Sequence, residues 1–219
     1  MSETNGIIRA KMVSDITELR VLDKGRVQLL DYMGDDESIV EAALVCTGAD
    51  KTKQEIGDFI TKLWRLGHTS PFEQVVFTFC IKSPIFVARQ IMRHRTARIN
   101  ELSLRSTESN LEFYMPDDDR LGDHPDTTRG YLETLYEQAA GCYKTMLSTH
   151  VKREVARCAL PLSVYTEFFW QMDLHNLLHF FTLRCSLNAQ WETRKYAEAI
   201  KTLVRQICPL AIAAWEGVQ

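Results

Sequence analysis

The sequence predicts an α+β fold, with a small antiparallel or mixed sheet flanked by helices, in a single domain over residues 1–219. Three observations predict it. A chain of 219 residues without an internal repeat suits one large domain. Short runs rich in β-branched and aromatic residues alternate with longer stretches whose apolar residues recur at helical spacing. The resulting order is strand, helices, strand, helix, strand, helices, strand, helices, which gives few strands with helices packed around them.

RVQLLDYM (26–33) reads as the first strand, ended by Gly34-Asp35-Asp36. Ser38 with Glu41 forms a capping-box pattern ahead of IVEAALVC, and Thr52 with Glu55 repeats it ahead of a second helix. In that helix Ile56, Phe59, Ile60 and Leu63 share a face, and Gly67 marks the end. Residues 68–73 form a polar turn, because Ser70-Pro71 biases the backbone away from helix. VVFTFCI (75–81) has the composition of a buried strand. Ser83 then serves as N-cap and Pro84 as first residue of a helix running to about Arg95, on which Arg89 and Arg93, and Gln90 and His94, are four apart.

LSLRS (102–106) reads as a short strand and residues 116–125 as a surface loop. Leu132, Leu135, Tyr136, Ala139, Tyr143, Met146 and Leu147 trace one face of a long helix over 127–149. KREVARCAL (152–160) is a shorter helix that carries Arg153 and Arg157 and stops at Pro161. VYTEFFWQM (164–172) has strand composition, and 174–185 reads as a buried helix ending near Arg184. A last helix over 190–207 buries Trp191, Ile200, Leu203 and Val204 and stops before Pro209.

No window approaches the roughly 18 consecutive apolar residues of a membrane span, and MSETNGIIRAKMVSD lacks a signal peptide's apolar core. The expectation is a soluble, cytoplasmic protein with no membrane partner. Cys46, Cys80, Cys142, Cys158, Cys185 and Cys208 form no Cys-x-x-Cys pair and sit in apolar stretches, which predicts buried, inert thiols. His175 and His179 are four apart on a predicted helix, a spacing that can bind zinc, but no third ligand accompanies them and no metal is expected.

Formal net charge is -3, which is no footprint for nucleic acid over a large face. The positive charge is nevertheless concentrated. Arg89, Arg93, Arg95, Arg98 and Arg105 fall within seventeen residues that hold no lysine and a single acid, Glu101. Arginine without lysine suits bidentate contacts to phosphate or carboxylate. A helix presenting arginines to a nucleic-acid groove is one reading of this cluster, opposed by the acidic total and by the apolar flanks IFVA and IM. Ser103 lies among the arginines with no His or Lys placed locally to activate it, so substrate positioning is favoured over a nucleophilic role.

The string RHRTARINELSLR (93–105) resembles the signature of the flavin-dependent thymidylate synthases, an Arg-His-Arg triplet, seven residues, then Ser. The resemblance extends to His68-x-Ser70-Pro71-Phe72-Glu73, to IFVARQ (85–90), REVARCALPL (153–162), YTEFFW (165–170), Leu183-Arg184 and AQWE (189–192), in the family's order. It implies an enzyme that makes dTMP from dUMP, with 5,10-methylenetetrahydrofolate as carbon donor and NADPH as reductant through FAD. It also implies a homotetramer whose sites are built from more than one subunit. Carried over by residue, it implies flavin binding by His68, Ser70, Arg93, His94, Arg95 and Glu101, and by Asp173, His175 and His179. It implies dUMP binding by Gln90, Arg93, Glu101, Leu102, Ser103, Arg105 and Arg157, with Arg184 against the uracil as the catalytic group. Arg98, Asp173 and Asn188 depart from the family's pattern. A nucleotide-binding homologue without methylation activity shares the same residues.

Overall fold

The computed structural model describes residues 17–45, 56–105 and 111–218. Its elements in chain order are β1 (Glu18–Val21), β2 (Gly25–Met33), α1 (Asp36–Leu44), α2 (Ile56–Arg65), β3 (Val76–Pro84), α3 (Ile85–Ile91), β4 (Arg98–Glu101), α4 (Pro125–Ser148), α5 (Arg153–Ala156), β5 (Tyr165–Asp173), α6 (Leu174–Arg184), α7 (Trp191–Ile207) and α8 (Pro209–Glu216). The strands form one antiparallel sheet in the order β1-β2-β3-β5-β4. The α+β expectation holds, and the sheet is antiparallel throughout.

Strand alternation sorts the two sheet faces. Val27 and Leu29 of β2, Phe77, Phe79 and Ile81 of β3, and Phe168, Trp170 and Met172 of β5 are buried in a single core with Leu177, Phe180 and Phe181 of α6 and Ile200, Leu203 and Val204 of α7. Trp170 packs edge-on against Phe180, with ring centroids 5.1 Å apart. The other face is polar, as an antiparallel sheet allows. Across it Arg26 donates to Glu167 at 2.7 Å, the Cys80 thiol donates to Glu167 at 3.3 Å, and Gln171 joins Arg98 to Thr78.

Several boundaries differ from the sequence reading. Asp35, not Ser38, is the N-cap of α1. Its carboxylate accepts the Ser38 amide at 3.1 Å, and Ser38 Oγ in return accepts the Asp35 amide at 3.2 Å. Thr52, Glu55 and Cys46 lie outside the described residues. Ser83 does not cap α3. It is the buried partner of Thr166 in the sheet, because pairing with β5 continues through Pro84. α3 stops at Ile91 rather than Arg95, and the strand expected at 102–106 forms instead at Arg98–Glu101, where the alternation RINE can pair with β5.

In α4 only Ala139 and Tyr143 are buried, and Leu135 is exposed. Trp191 is half-buried, with Arg120 over its ring at 4.6 Å. Cys80 and Cys208 are buried as expected, but Cys142 and Cys158 are exposed.

Two elements went unanticipated. β1 is a four-residue strand too short to show periodicity. α8 begins at Pro209, the residue that reads as a stop for the preceding helix, because proline also suits the first helical position. Its free amides are met from across the fold. Asp36, 7% exposed, accepts from the Leu210 amide at 2.8 Å and the Ala211 amide at 3.0 Å. Asp36→Ala leaves both donors unpaired and is expected to cost about 1–3 kcal/mol of stability in chemical denaturation. A loss under about 0.5 kcal/mol, the size of an ordinary surface substitution, would show that the cap contributes nothing.

Candidate active site

β3 runs directly into α3, and a turn then carries the chain to β4 at the free edge of β5. Arg93-His94-Arg95 occupies that turn, not a helix. The His94 amide donates to Ile91 O at 3.1 Å, and the Ala97 amide to His94 O at 3.4 Å. The imidazole is therefore directed inward while Arg93 and Arg95 are exposed on either side. His94 is 9% exposed, edge-on to Phe180 at 4.9 Å and to His179 at 6.1 Å.

Arg184, the last residue of α6, closes on this turn. Its Nε donates to His94 Nε2 at 3.2 Å and its Nη2 to Gln90 O at 3.3 Å. The cation thereby meets the C-terminal turn of α3, where carbonyls lack helical partners. Burial, and then the charge of Arg184 and proximity to His179, hold the His94 pKa down at about 4. The imidazole is neutral near pH 7, as an acceptor of the Arg184 N–H must be. The Gln90 side-chain amide donates to Gln190, the residue immediately before α7.

A second group lies where β4 leaves the sheet. Thr166 Oγ1 donates to Glu101 at 2.7 Å, and the Leu102 amide to Glu167 O at 2.9 Å. The Arg105 amide donates to Ser103 Oγ at 3.4 Å, and the Arg105 side chain lies 4.0 Å from Glu154. Arg157 Nε donates to Glu154 O at 3.3 Å. Glu101, Leu102 and Arg157 line a cleft of about 380 Å³ together with Arg89, Cys158 and Thr166.

The third group stands at the opposite end of α6. Asp173 is its N-cap and accepts both the amide and the side chain of Asn176, at 2.9 and 2.7 Å. His175 lies 3.6 Å from Glu73 and edge-on to Trp64 at 6.4 Å. His68, just past Gly67 (φ +72), and Ser70 are exposed on the segment that carries Glu73. Roughly 15 Å of helix separates this group from Arg184 at a rise of about 1.5 Å per residue.

Within one chain, then, Gln90, His94, His179 and Arg184 meet, Glu101, Leu102 and Arg157 share a cleft, and Asp173, His175, His68 and Ser70 lie apart from both. Sequence reasoning missed Glu73, Glu154, Thr166 and Gln190 as members of these groups. All four fall inside segments singled out by resemblance, but their roles depend on partners distant in the chain.

Residues 28–210 match the family model described as thymidylate synthase complementing protein. A Thermus thermophilus protein named flavin-dependent thymidylate synthase is 48% identical over 208 residues, covering 90% of this chain and 77% of that one. A Treponema denticola protein of the same name is 45% identical, covering 91% and 82%. Among solved structures, a UMP/dUMP methylase, PolB of Streptomyces cacaoi, bound with 5-Br dUMP, superposes with a TM-score of 0.84 at 29% identity, covering 91% of this chain and 97% of that one. With a shared signature, a shared fold and a family match over most of its length, this chain belongs to the thymidylate synthase complementing protein family.

Proposed function

We propose that the chain is a flavin-dependent thymidylate synthase. It converts dUMP to dTMP, takes the added carbon from 5,10-methylenetetrahydrofolate, and takes reducing equivalents from NADPH through FAD. The observation that carries this reading is the signature turn itself, which buries a neutral His94 under Arg184 and leaves Arg93 and Arg95 facing outward. The names of the relatives point the same way.

Arg93 and Arg95 make no hydrogen bond or ion pair with another described residue, and their planar, permanently charged forks suit a diphosphate. The donor set thus fits FAD, with Arg93, His94 and Arg95 as its principal holders and His68, Ser70, Glu101, Asp173, His175 and His179 as further contacts. When bound, the flavin supplies the two-electron reduction that turning a methylene into a methyl group requires.

The chain's own groups orient and polarise. Arg184 is fixed by two hydrogen bonds, and its remaining N–H groups are free to stabilise negative charge as it develops on the uracil ring. His94 fixes that guanidinium and, being neutral, adds no competing cation. Gln90, Leu102, Ser103, Arg105 and Arg157 hold the nucleotide. A homotetramer with shared sites accords with the separation of the three groups within one chain, and with the exposed apolar residues Tyr131, Leu135 and Val155 on α4 and α5. A cytoplasmic setting follows from the same reading.

Anaerobic incubation of the flavin-loaded protein with dUMP, methylenetetrahydrofolate and NADPH is expected to yield dTMP. A parallel arm with UMP measures whether the breadth named for the PolB methylase extends here. A folded, flavin-loaded chain that makes no dTMP overturns the proposal. Arg184→Lys keeps the charge and loses the fork, and is expected to lower kcat by about 10²-fold or more. Unchanged kcat would remove Arg184 from the chemistry. Acid should also loosen the turn. Between pH 6.5 and 4 the unfolded chain binds a proton on His94 that the folded chain does not, so stability falls as pH drops through that window. His94→Gln keeps an acceptor for Arg184 and should lose melting temperature less steeply over the same range. Equal slopes in the two proteins would contradict the buried neutral imidazole.

A further inference from the structure

We propose that Arg120 is a positioning residue, clamping the first turn of α7 so that Gln190 holds the Gln90 carboxamide in one orientation for the nucleotide. The proposal rests on the nucleotide-binding role given to Gln90 above and adds Arg120, Tyr114, Gln190 and Glu192, which no part of that reading uses.

Gln190 occupies the N-cap position of α7, yet its side chain makes no capping hydrogen bond. It accepts instead from the Gln90 side-chain amide. A 17-residue helix that begins without a side-chain cap has free amides in its first turn, and such an end frays unless something else holds it. Here the hold is on the next two residues. Arg120 lies over the Trp191 ring at 4.6 Å, and its Nη2 donates to Glu192 Oε1 at 3.1 Å. One planar guanidinium thus stacks on one residue and bonds its neighbour, which the ammonium of a lysine does not reproduce. Glu192 is 5% exposed, so its charge depends on the arginine for compensation.

The clamp also reaches α3. Tyr114 donates its hydroxyl to the same Glu192 oxygen at 3.4 Å, while its ring packs against Phe86 of α3 at 5.8 Å. Tyr114 is itself fixed, its amide donating to Ser163 O at 2.9 Å and its carbonyl accepting the Tyr136 hydroxyl at 2.8 Å. Phe86 is one helical turn before Gln90. The placement of α3 against α7 is therefore set at Phe86 by Tyr114 and transmitted to Gln90 by Gln190. Arg120 stands on a single 3-10 turn, Asp118–Arg120, anchored by the buried Leu121 and by the Arg129–Asp118 ion pair. Gln90, with its carbonyl held by Arg184 and its side chain by Gln190, is ordered before the nucleotide arrives, which lowers the entropic cost of binding.

The test is calorimetric affinity for dUMP, together with kcat, of the flavin-loaded protein for wild type, Gln190→Met, Arg120→Gln, the double variant and the control Lys195→Gln. Gln190→Met keeps the length and removes the acceptor. Lys195 also lies over Trp191, at 5.5 Å, but pairs with Glu198. The expected result is about tenfold weaker dUMP binding in Q190M, about fivefold in R120Q, and no more in the double variant than in Q190M alone, because both act on one contact. kcat stays within about twofold of wild type in each, and K195Q binds dUMP as wild type does. Arg120→Lys keeps Glu192 paired where R120Q does not fold, and is expected to lose about twofold in affinity. Losses that multiply in the double variant overturn the clamp. Wild-type dUMP affinity in R120Q, or in R120K where R120Q does not fold, also overturns it, as does an equal loss in K195Q. Formation of dTMP is scored separately. A chain that makes dTMP but fails these measurements loses only the clamp. A chain that makes none, yet shows the non-additive loss of dUMP affinity, keeps the clamp and loses the proposed reaction. A chain that binds no dUMP loses both.

Discussion

The hydrogen bond from Arg184 to the buried His94 is the contact on which the arrangement of the site depends. α3 is seven residues long, too short to be stable by itself, and the turn after it has no regular structure to hold it. Arg184 ties both down, the helix through Gln90 O and the turn through the imidazole. Its own position is set by β5, because Asp173 ends that strand and caps α6 in the same residue, with no loop between them. β5 also carries β4 along its edge. The turn is therefore referenced at both ends to one interior strand, whose Phe168, Trp170 and Met172 are locked in the core.

Charge follows the same logic. The chain is acidic in total, yet the carboxylates nearest the site are engaged elsewhere. Glu101 takes the Thr166 hydroxyl, Glu154 lies beside Arg105, and Glu167 takes Arg26. That leaves Arg89, Arg93 and Arg95 without an internal counter-ion among the described residues. Guanidiniums held this way favour anionic ligands, because binding does not first require an internal ion pair to break. A neutral His94 among them keeps repulsion down, and burial is the main reason that it stays neutral.

Much of the architecture was legible because it rests on local patterns. The β2, β3 and β5 strands and the α4, α6 and α7 helices lie within a few residues of where periodicity placed them. Local pattern misled where tertiary pairing won. Ser83-Pro84 has the composition of a helix start, but pairing of β3 with β5 extends through it. The helix expected to reach Arg95 ends at Ile91, and the turn that replaces its last part buries His94 edge-on to Phe180, a contact with a residue distant in sequence. α8 is held by Asp36, 174 residues away in sequence, which no window can reveal. At the candidate site, the signature string predicts residues by type and spacing, while the partners that contact them in the fold, Thr166, Glu154 and Gln190, come from elsewhere in the chain. Cys142 and Cys158 sit among apolar neighbours in sequence but on outer faces in space.

The most direct measurement is the visible absorption spectrum of the freshly purified protein, followed through addition of FAD and then dUMP. Flavin bands at close to stoichiometric occupancy are expected, with a shift in those bands when dUMP binds beside them. A colourless, folded protein that takes up no FAD, or a bound flavin whose spectrum is indifferent to dUMP, would contradict the claim that these arginines bring the two ligands together.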